Sequence, residues 1–282
     1  DTALTEALTN NQTKVLQMLL EHGADFKTAD NWHNLPLVRA AEMNRVNALK
    51  LLLEKEDPLS QTCADALGAA AGNGRTENIK ILLEKGVPPD AKGSSGKTAL
   101  AKACESGQTE AVKLLAEKGA DMNLADKNGI SPLMAAVLRG KTETARFLLK
   151  NRSSGTDLSQ ILKSVIRTGN GNMAELLIGE GADPNAADEE TGRTFLLMAC
   201  ETGNTEMVRL FLQKGADVNA AEKRSGTTPL MVAAQRGNAE LVRLLLEKGA
   251  DKKVRNQLGF TASDMAANEQ IREILAKGTV EK

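Results

Sequence analysis

Ala91-Lys92-Gly93-Ser94-Ser95-Gly96-Lys97-Thr98 is the stretch of this chain that comes nearest to a known chemistry. A glycine-rich loop closing on Gly-Lys-Thr can cradle nucleotide phosphates with its backbone N–H groups and its lysine. Such a loop follows a buried strand and opens a helix whose N-terminus faces the phosphates. Here Val87-Pro88-Pro89-Asp90 comes before it, and that is not an apolar strand. Nucleophiles are the next candidates. The chain has three cysteines, Cys63, Cys104 and Cys200, an odd number that argues against a disulfide framework. The only histidines, His22 and His33, lie close to the start of the sequence.

The elements that must position these residues are set by a repeat. Gly226-Thr227-Thr228-Pro229-Leu230-Met231-Val232-Ala233-Ala234-Gln235-Arg236-Gly237, then Glu240 to Leu246, then Gly249-Ala250-Asp251, is its fullest copy. Taking the first residue of the Ala-Ala step or its substitute as anchor gives Ala7, Ala40, Ala70, Ala103, Ala136, Val165, Ala199, Ala233 and Ala266. Successive differences are 33, 30, 33, 33, 29, 34, 34 and 33 residues. A period of this size marks stacked supersecondary units, each of which buries its apolar side only against its neighbours. Within a unit such as Lys127 to Arg152, Asn128-Gly129 signals a turn, Ser131 caps a helix and Pro132 occupies its first position. Gly140 stops that helix, and a second helix carries Phe147-Leu148-Leu149 as its expected apolar stripe.

The recurring Gly-x-Thr-Pro-Leu-x-x-Ala-Ala-x-x-Gly, followed by x-Val-x-x-Leu-Leu-x-x-Gly-Ala-Asp-x-Asn, resembles the ankyrin-repeat family. The likeness covers Thr2 to Lys277. It implies an all-α solenoid of about nine helix–turn–helix units joined by β-hairpin fingers, in one domain over residues 1–277 with a tail at 278–282. It also implies a concave face of fingers and first helices that binds other proteins. One departure stands out: the histidine that commonly follows Thr-Pro-Leu is missing, and Met134 and Met231 occupy that position in the two best copies. Apolar packing is expected to replace its hydrogen bonds.

This register absorbs the chemistry considered first. Gly96-Lys97-Thr98-Ala99-Leu100 aligns with Gly129-Ile130-Ser131-Pro132-Leu133 and with Gly226-Thr227-Thr228-Pro229-Leu230, so the repeat accounts for the phosphate-loop-like stretch. Cys104 and Cys200 follow anchor alanines and read as small core residues. At about 10 Å per repeat, Cys104 stands roughly 20–30 Å from either histidine, far beyond the reach of a nucleophile–base pair. No catalytic, metal or cofactor site is expected.

A longer period lies inside the first. Anchors three repeats apart differ by 95 to 97 residues in this region, as in 165 − 70, 199 − 103 and 233 − 136, so a three-repeat module is duplicated. The two short intervals fall at matching places, around Glu56-Asp57-Pro58-Leu59-Ser60 and Arg152-Ser153-Ser154-Gly155-Thr156. Each is too short for a full finger. The spacing predicts either a notch in the row of fingers or helices displaced to close the gap.

Bulk composition excludes several function classes. With 36 Lys+Arg against 37 Asp+Glu, no strong attraction to nucleic acid or anionic membranes is expected. No apolar run approaches the length of a membrane helix. Asp1 falls inside the first repeat, so any leader would already be removed; a cytoplasmic location is favoured, with a secreted or periplasmic one left open. Relatively polar first and last repeats favour a monomer.

Positions that do not serve the scaffold are the finger tips and the last residues of each first helix. These give the candidate partner-binding set: Asn31, Trp32, His33, Met43, Lys127, Asn128, Ile130, Leu138, Arg139, Arg193, Arg224, Arg236, Leu258 and Phe260. Trp32 is the chain's only tryptophan, and either anchors a partner or folds onto an adjacent finger or Phe26. Phe147 and Phe211, by contrast, are expected in the core. The function expected is a non-catalytic module that binds another protein. The alternatives are a nucleotide-binding or enzymatic protein using Gly96-Lys97-Thr98, and a self-associating scaffold.

Overall fold

The computed structural model describes residues 2–30, 34–152 and 156–277. Among them are seventeen α-helices and no strand. They form two compact units, residues 1–154 and 155–282.

In the first unit, short helices pair in sequence: α1 (Ala3–Thr9) with α2 (Thr13–Glu21), α3 (Pro36–Glu42) with α4 (Val46–Leu53) and α5 (Gln61–Gly72) with α6 (Thr76–Glu84). Then come α7 (Ala99–Ser106) with α8 (Thr109–Glu117), and α9 (Pro132–Leu138) with α10 (Thr142–Lys150). First helices stack on first helices and second on second. The second unit repeats the scheme with α11 (Leu158–Thr168) and α12 (Gly171–Gly179), α13 (Phe195–Thr202) and α14 (Thr205–Gln213), and α15 (Pro229–Gln235) and α16 (Ala239–Glu247). The unit closes with α17 (Glu269–Lys277), packed on α16. Residues around the last anchor, Ala266, form turns rather than a helix.

The repeat motif sets each boundary. Thr98, Ser131, Thr194 and Thr228 stand in extended conformation before their helices, and each hydroxyl accepts the N–H three residues on, at 3.2–3.3 Å. That satisfies one of the helix's otherwise unpaired donors. At Thr228 the cap is reciprocal, because its own N–H reaches the sulfur of buried Met231 at 3.5 Å. Thus Met231 packs as expected and also accepts a weak hydrogen bond where the family places histidine. Helices α2, α8, α12, α14 and α16 end on the Gly-Ala-Asp step. Gly181, with φ of +103°, turns the chain left-handed, and the next N–H, of Ala182, donates back to the Leu177 carbonyl at 2.9 Å. This closes the helix end as a Schellman turn does.

Every anchor residue is buried, from Ala7 to Ala266. Their small size lets the first helices approach closely, while Leu49, Leu52, Leu82, Leu115 and Phe211 fill the space behind. Phe211 is core as expected, but Phe147 is only half-buried. In α10 the inward face is Thr144, Ala145, Leu148 and Leu149, at helical spacing, which leaves Phe147 on the flank.

Polar groups tie one repeat to the next. Arg45 donates to the Leu8 and Thr9 carbonyls at 3.0 and 2.8 Å, and Arg75 to Glu42 at 3.0 Å, satisfying carbonyls at the ends of α1 and α3. In the second unit the Asn185 side chain accepts the Asp217 N–H, and that of Asn219 accepts the Asp251 N–H, both at 2.8 Å. The asparagine of Gly-Ala-Asp-x-Asn therefore serves the following repeat.

Two expectations are corrected here. The described fingers are turns without β-ladders, and two of them are closed by an isolated bridge, Lys92 with Thr98 and Ala187 with Thr194. The short junctions are also not simple gaps. The other first helices have seven or eight residues, whereas α5 has twelve and α11 eleven. An added helical turn replaces the missing finger, capped by Ser60 in α5 and by Asp157 in α11. That turn reaches forward: Gln61 donates to the Lys92 carbonyl at 3.0 Å, and the Asp65 carboxylate accepts the Ser94 N–H at 2.7 Å and its hydroxyl at 2.5 Å. Residues 153–155, within the second junction, lie outside the described residues.

Candidate interaction surface

The finger at Asp126–Ile130 shows how recognition positions are held. The Asp126 carboxylate accepts the N–H groups of Asn128 at 2.8 Å and Ile130 at 3.1 Å. The Asn128 N–H, and after it that of Ile130, holds the Asp126 carboxyl below the usual carboxylate range against the opposing effect of burial. With the turn fixed, Lys127 and Asn128 stand exposed at the tip and Ile130 is half-buried. In the same repeat, Leu138 ends α9 and stays 43% exposed, and Arg139 follows it into solvent. Met43 holds the equivalent helix-end position after α3 and is half-buried. Asn31, Trp32 and His33 lie outside the described residues.

In the second unit the candidates divide by whether they are already engaged. Arg193 pairs with Glu201 at 3.0 Å through Nη1 and with Glu222 at 3.3 Å through Nε. Arg224 donates to the Glu190 carbonyl of the preceding finger at 2.9 Å. Arg236 caps α15 and is exposed, with no ion pair among the described residues. Leu258 and Phe260 are displayed together on the last finger, 78% and 49% exposed. Asn256 holds them there by accepting both their N–H groups at 3.0 Å.

The stretch that resembles a phosphate loop is occupied by scaffold work. Gly96 makes the finger turn with φ of +77°, and buried Thr98 caps α7 by accepting the Ala101 N–H. The Lys97 ammonium pairs with Glu105 at 2.5 Å. Cys63, Cys104 and Cys200 are all buried, and burial pushes the Cys104 and Cys200 thiols up to about 12. Among the described residues, no group of three or more His, Cys, Asp and Glu is placed to hold a metal. No described helix is long and apolar enough to cross a membrane.

One feature of the second unit escaped the sequence reading. A cleft of about 200 Å³ opens between α11, α13 and the finger at 188–193. Its floor includes buried Ile166 and Met198, and its rim carries Arg167, Arg193 and Glu201. One wall is the ion pair of Lys163 with buried Asp188, whose carboxylate also accepts the Thr191 N–H at 2.9 Å and hydroxyl at 2.7 Å. Arg167 could have been found: it stands in the last turn of α11, two residues after anchor Val165, as Leu138 stands two residues after anchor Ala136. The cleft itself is made by the placement of α11, α13 and the finger in space, which residue spacing does not reveal.

Paired helices on this repeat motif, with capped fingers and exposed helix ends, define a class of repeat protein, and comparison with known proteins agrees. The family model for ankyrin repeats matches residues 1–63, 67–161, 118–188 and 161–256. The chain belongs to the ankyrin-repeat family. A curated relative, ankyrin repeat domain-containing protein SAT10 of Stachybotrys chartarum, is 33% identical over 100 residues. That match spans 34% of this chain and only 5% of the relative's length.

Proposed function

We propose that this chain is a non-catalytic module that binds a partner protein through its fingers and the ends of its first helices. The contrast within α9 carries the reading. Leu133, Ala136 and Val137 are buried, whereas Leu138 at the helix end is 43% exposed and Arg139 beside it has no ion-pair partner among the described residues. A large apolar side chain next to a planar cation, held on a rigid helix end, suits an interface anchor. Ankyrin repeats typically mediate protein–protein interaction, which supports the same reading.

The test is affinity capture with the full chain, followed by cross-linking and mass spectrometry of the bound partner. Cross-links from Lys127, on a finger, are the expected result. Cross-links confined to second-helix lysines such as Lys80 and Lys113 would move the interface to the other face. Titration with ATP and magnesium checks the enzymatic alternative: saturable binding lost in Lys97→Ala would replace this reading.

A further inference from the structure

We infer that the cleft of the second unit is a subsite for an acidic side chain of a protein partner, with Arg167 as its charge anchor and Met198, over buried Ile166, as its apolar floor. This rests on the protein-binding reading and adds the chemistry of what is bound. Three cations, Lys163, Arg167 and Arg193, and two carboxylates, Asp188 and Glu201, line the cleft. Lys163 pairs with Asp188, and Arg193 with Glu201. Glu222 shares Arg193 from outside the lining, through Nε. Both lining carboxylates are therefore neutralised within the protein, while the Arg167 side chain is exposed and its guanidinium has neither ion pair nor hydrogen bond among the described residues.

Arg167 is not explained by its own helix. It stands in the last turn of α11, where a cation suits the helix dipole. Yet it makes no hydrogen bond to the last-turn carbonyls; the Thr168 hydroxyl takes that of Val165, at 3.0 Å. Nη2 of Arg193 is likewise uncommitted, since Glu201 engages Nη1 and Glu222 engages Nε. Two guanidinium groups with open donors on one rim can bind a carboxylate with charge-assisted hydrogen bonds. The ion pairs hold Arg193 in place beforehand, which lowers the ordering cost of binding. Below the rim, Met198, packed over the fully buried Ile166, offers apolar surface to the methylene stem of a glutamate or to a neighbouring aliphatic side chain. About 200 Å³ holds one such side chain and no folded domain, so the partner contributes a projecting segment.

The test uses a random dodecapeptide phage library selected on the full chain, with the winning peptides measured by fluorescence polarisation. Selected peptides are expected to carry a glutamate or aspartate beside an aliphatic residue. Changing that acid to its amide should weaken binding about tenfold, the worth of one charge-assisted bond, and Arg167→Gln should do the same. The two changes together should cost no more than either alone, and Arg167→Lys should recover part of the loss. Thermal stability of Arg167→Gln should match wild type. If amide-for-acid peptides bind equally well, or if Arg167→Gln leaves affinity unchanged, the inference fails. Should binding then depend on Leu138→Ala or Phe260→Ala instead, the protein-binding reading survives without this subsite. A chain that selects no peptide counts against both.

Discussion

The Lys163 ammonium on the lengthened helix α11 rests against the buried carboxylate of Asp188, at the start of the next finger. Two residues that lie apart in the sequence thereby tie the first helix of one repeat to the finger of the next. The pair fixes how the finger sits over α11 and forms a wall of the cleft.

The first prediction concerns this pair's contribution to stability. Lys163, and after it the Thr191 hydroxyl and N–H, holds the Asp188 carboxyl far below the usual carboxylate range. A carboxyl depressed in the folded state stabilises fully above its unfolded pKa of about 3.9, and that stabilisation is lost as pH falls through the folded value. Asp188→Asn should therefore destabilise the protein by about 2–3 kcal/mol at neutral pH, in urea denaturation of the full chain. Repeated in steps below pH ~4, the gap between wild type and variant should narrow. A gap that stays constant into strong acid would show that the charge contributes nothing.

The added turn of α5 in the first unit gives a second prediction. A Cβ added at Gly93 would lie 2.5 Å from Oδ1 of Asp65, the atom that accepts the Ser94 N–H. Gly93→Ala must push that carboxylate away and break its bonds to Ser94, costing about 1–2 kcal/mol. In an Asp65→Ala background the same substitution should cost much less, since the obstructing group is gone. Denaturation of the four proteins in this cycle measures the coupling; additive effects would mean that Asp65 does not hold the finger.

Most of this scaffold was legible because it repeats. Anchors, helix caps and the Gly-Ala-Asp endings recur in phase, so each copy supports the others, and the burial of Cys104 and Cys200 followed from their position after an anchor. What sequence did not show were features made once or twice. The added turns of α5 and α11 replace missing fingers, and their capping residues, Ser60 and Asp157, are ordinary loop residues out of register with the other caps. Phe147 was misread because three adjacent apolar residues look like a stripe, whereas helical spacing turns only Leu148 and Leu149 inward. The cleft beside Arg167 is a consequence of tertiary placement. No local motif announces it.

The cysteines supply a third prediction. Burial holds the Cys104 and Cys200 thiols at about 12, with Glu105 and Glu201 respectively adding to the shift. Thiolate, the reactive form, is thus scarce in the folded protein. Labelling of both by a thiol-specific disulfide reagent near pH 8 should be slow and should follow the unfolding rate as denaturant is added. Rapid stoichiometric labelling of either in native buffer would show that it is open to solvent. The same shift predicts a loss of stability above pH ~9, where the unfolded thiols ionise and the folded ones do not.

The last prediction separates recognition from packing on one helix. Leu133 and Leu138 both belong to α9, but Leu133 is 5% exposed and Leu138 is 43% exposed. Truncating the first removes buried methyl groups from the stack and should cost about 2–4 kcal/mol of stability, with a clear fall in thermal midpoint. Truncating the second removes surface already in water, so the midpoint should hardly move. Affinity for a captured partner should show the reverse order: Leu138→Ala should weaken binding by about 2 kcal/mol if it is an interface anchor. Leu133→Ala should bind nearly as wild type at temperatures where it remains folded. Thermal denaturation and titration of the same two preparations decide the matter. A Leu138→Ala protein that melts several degrees lower while keeping its affinity would make Leu138 a packing residue and remove the main support for an interface at this helix end.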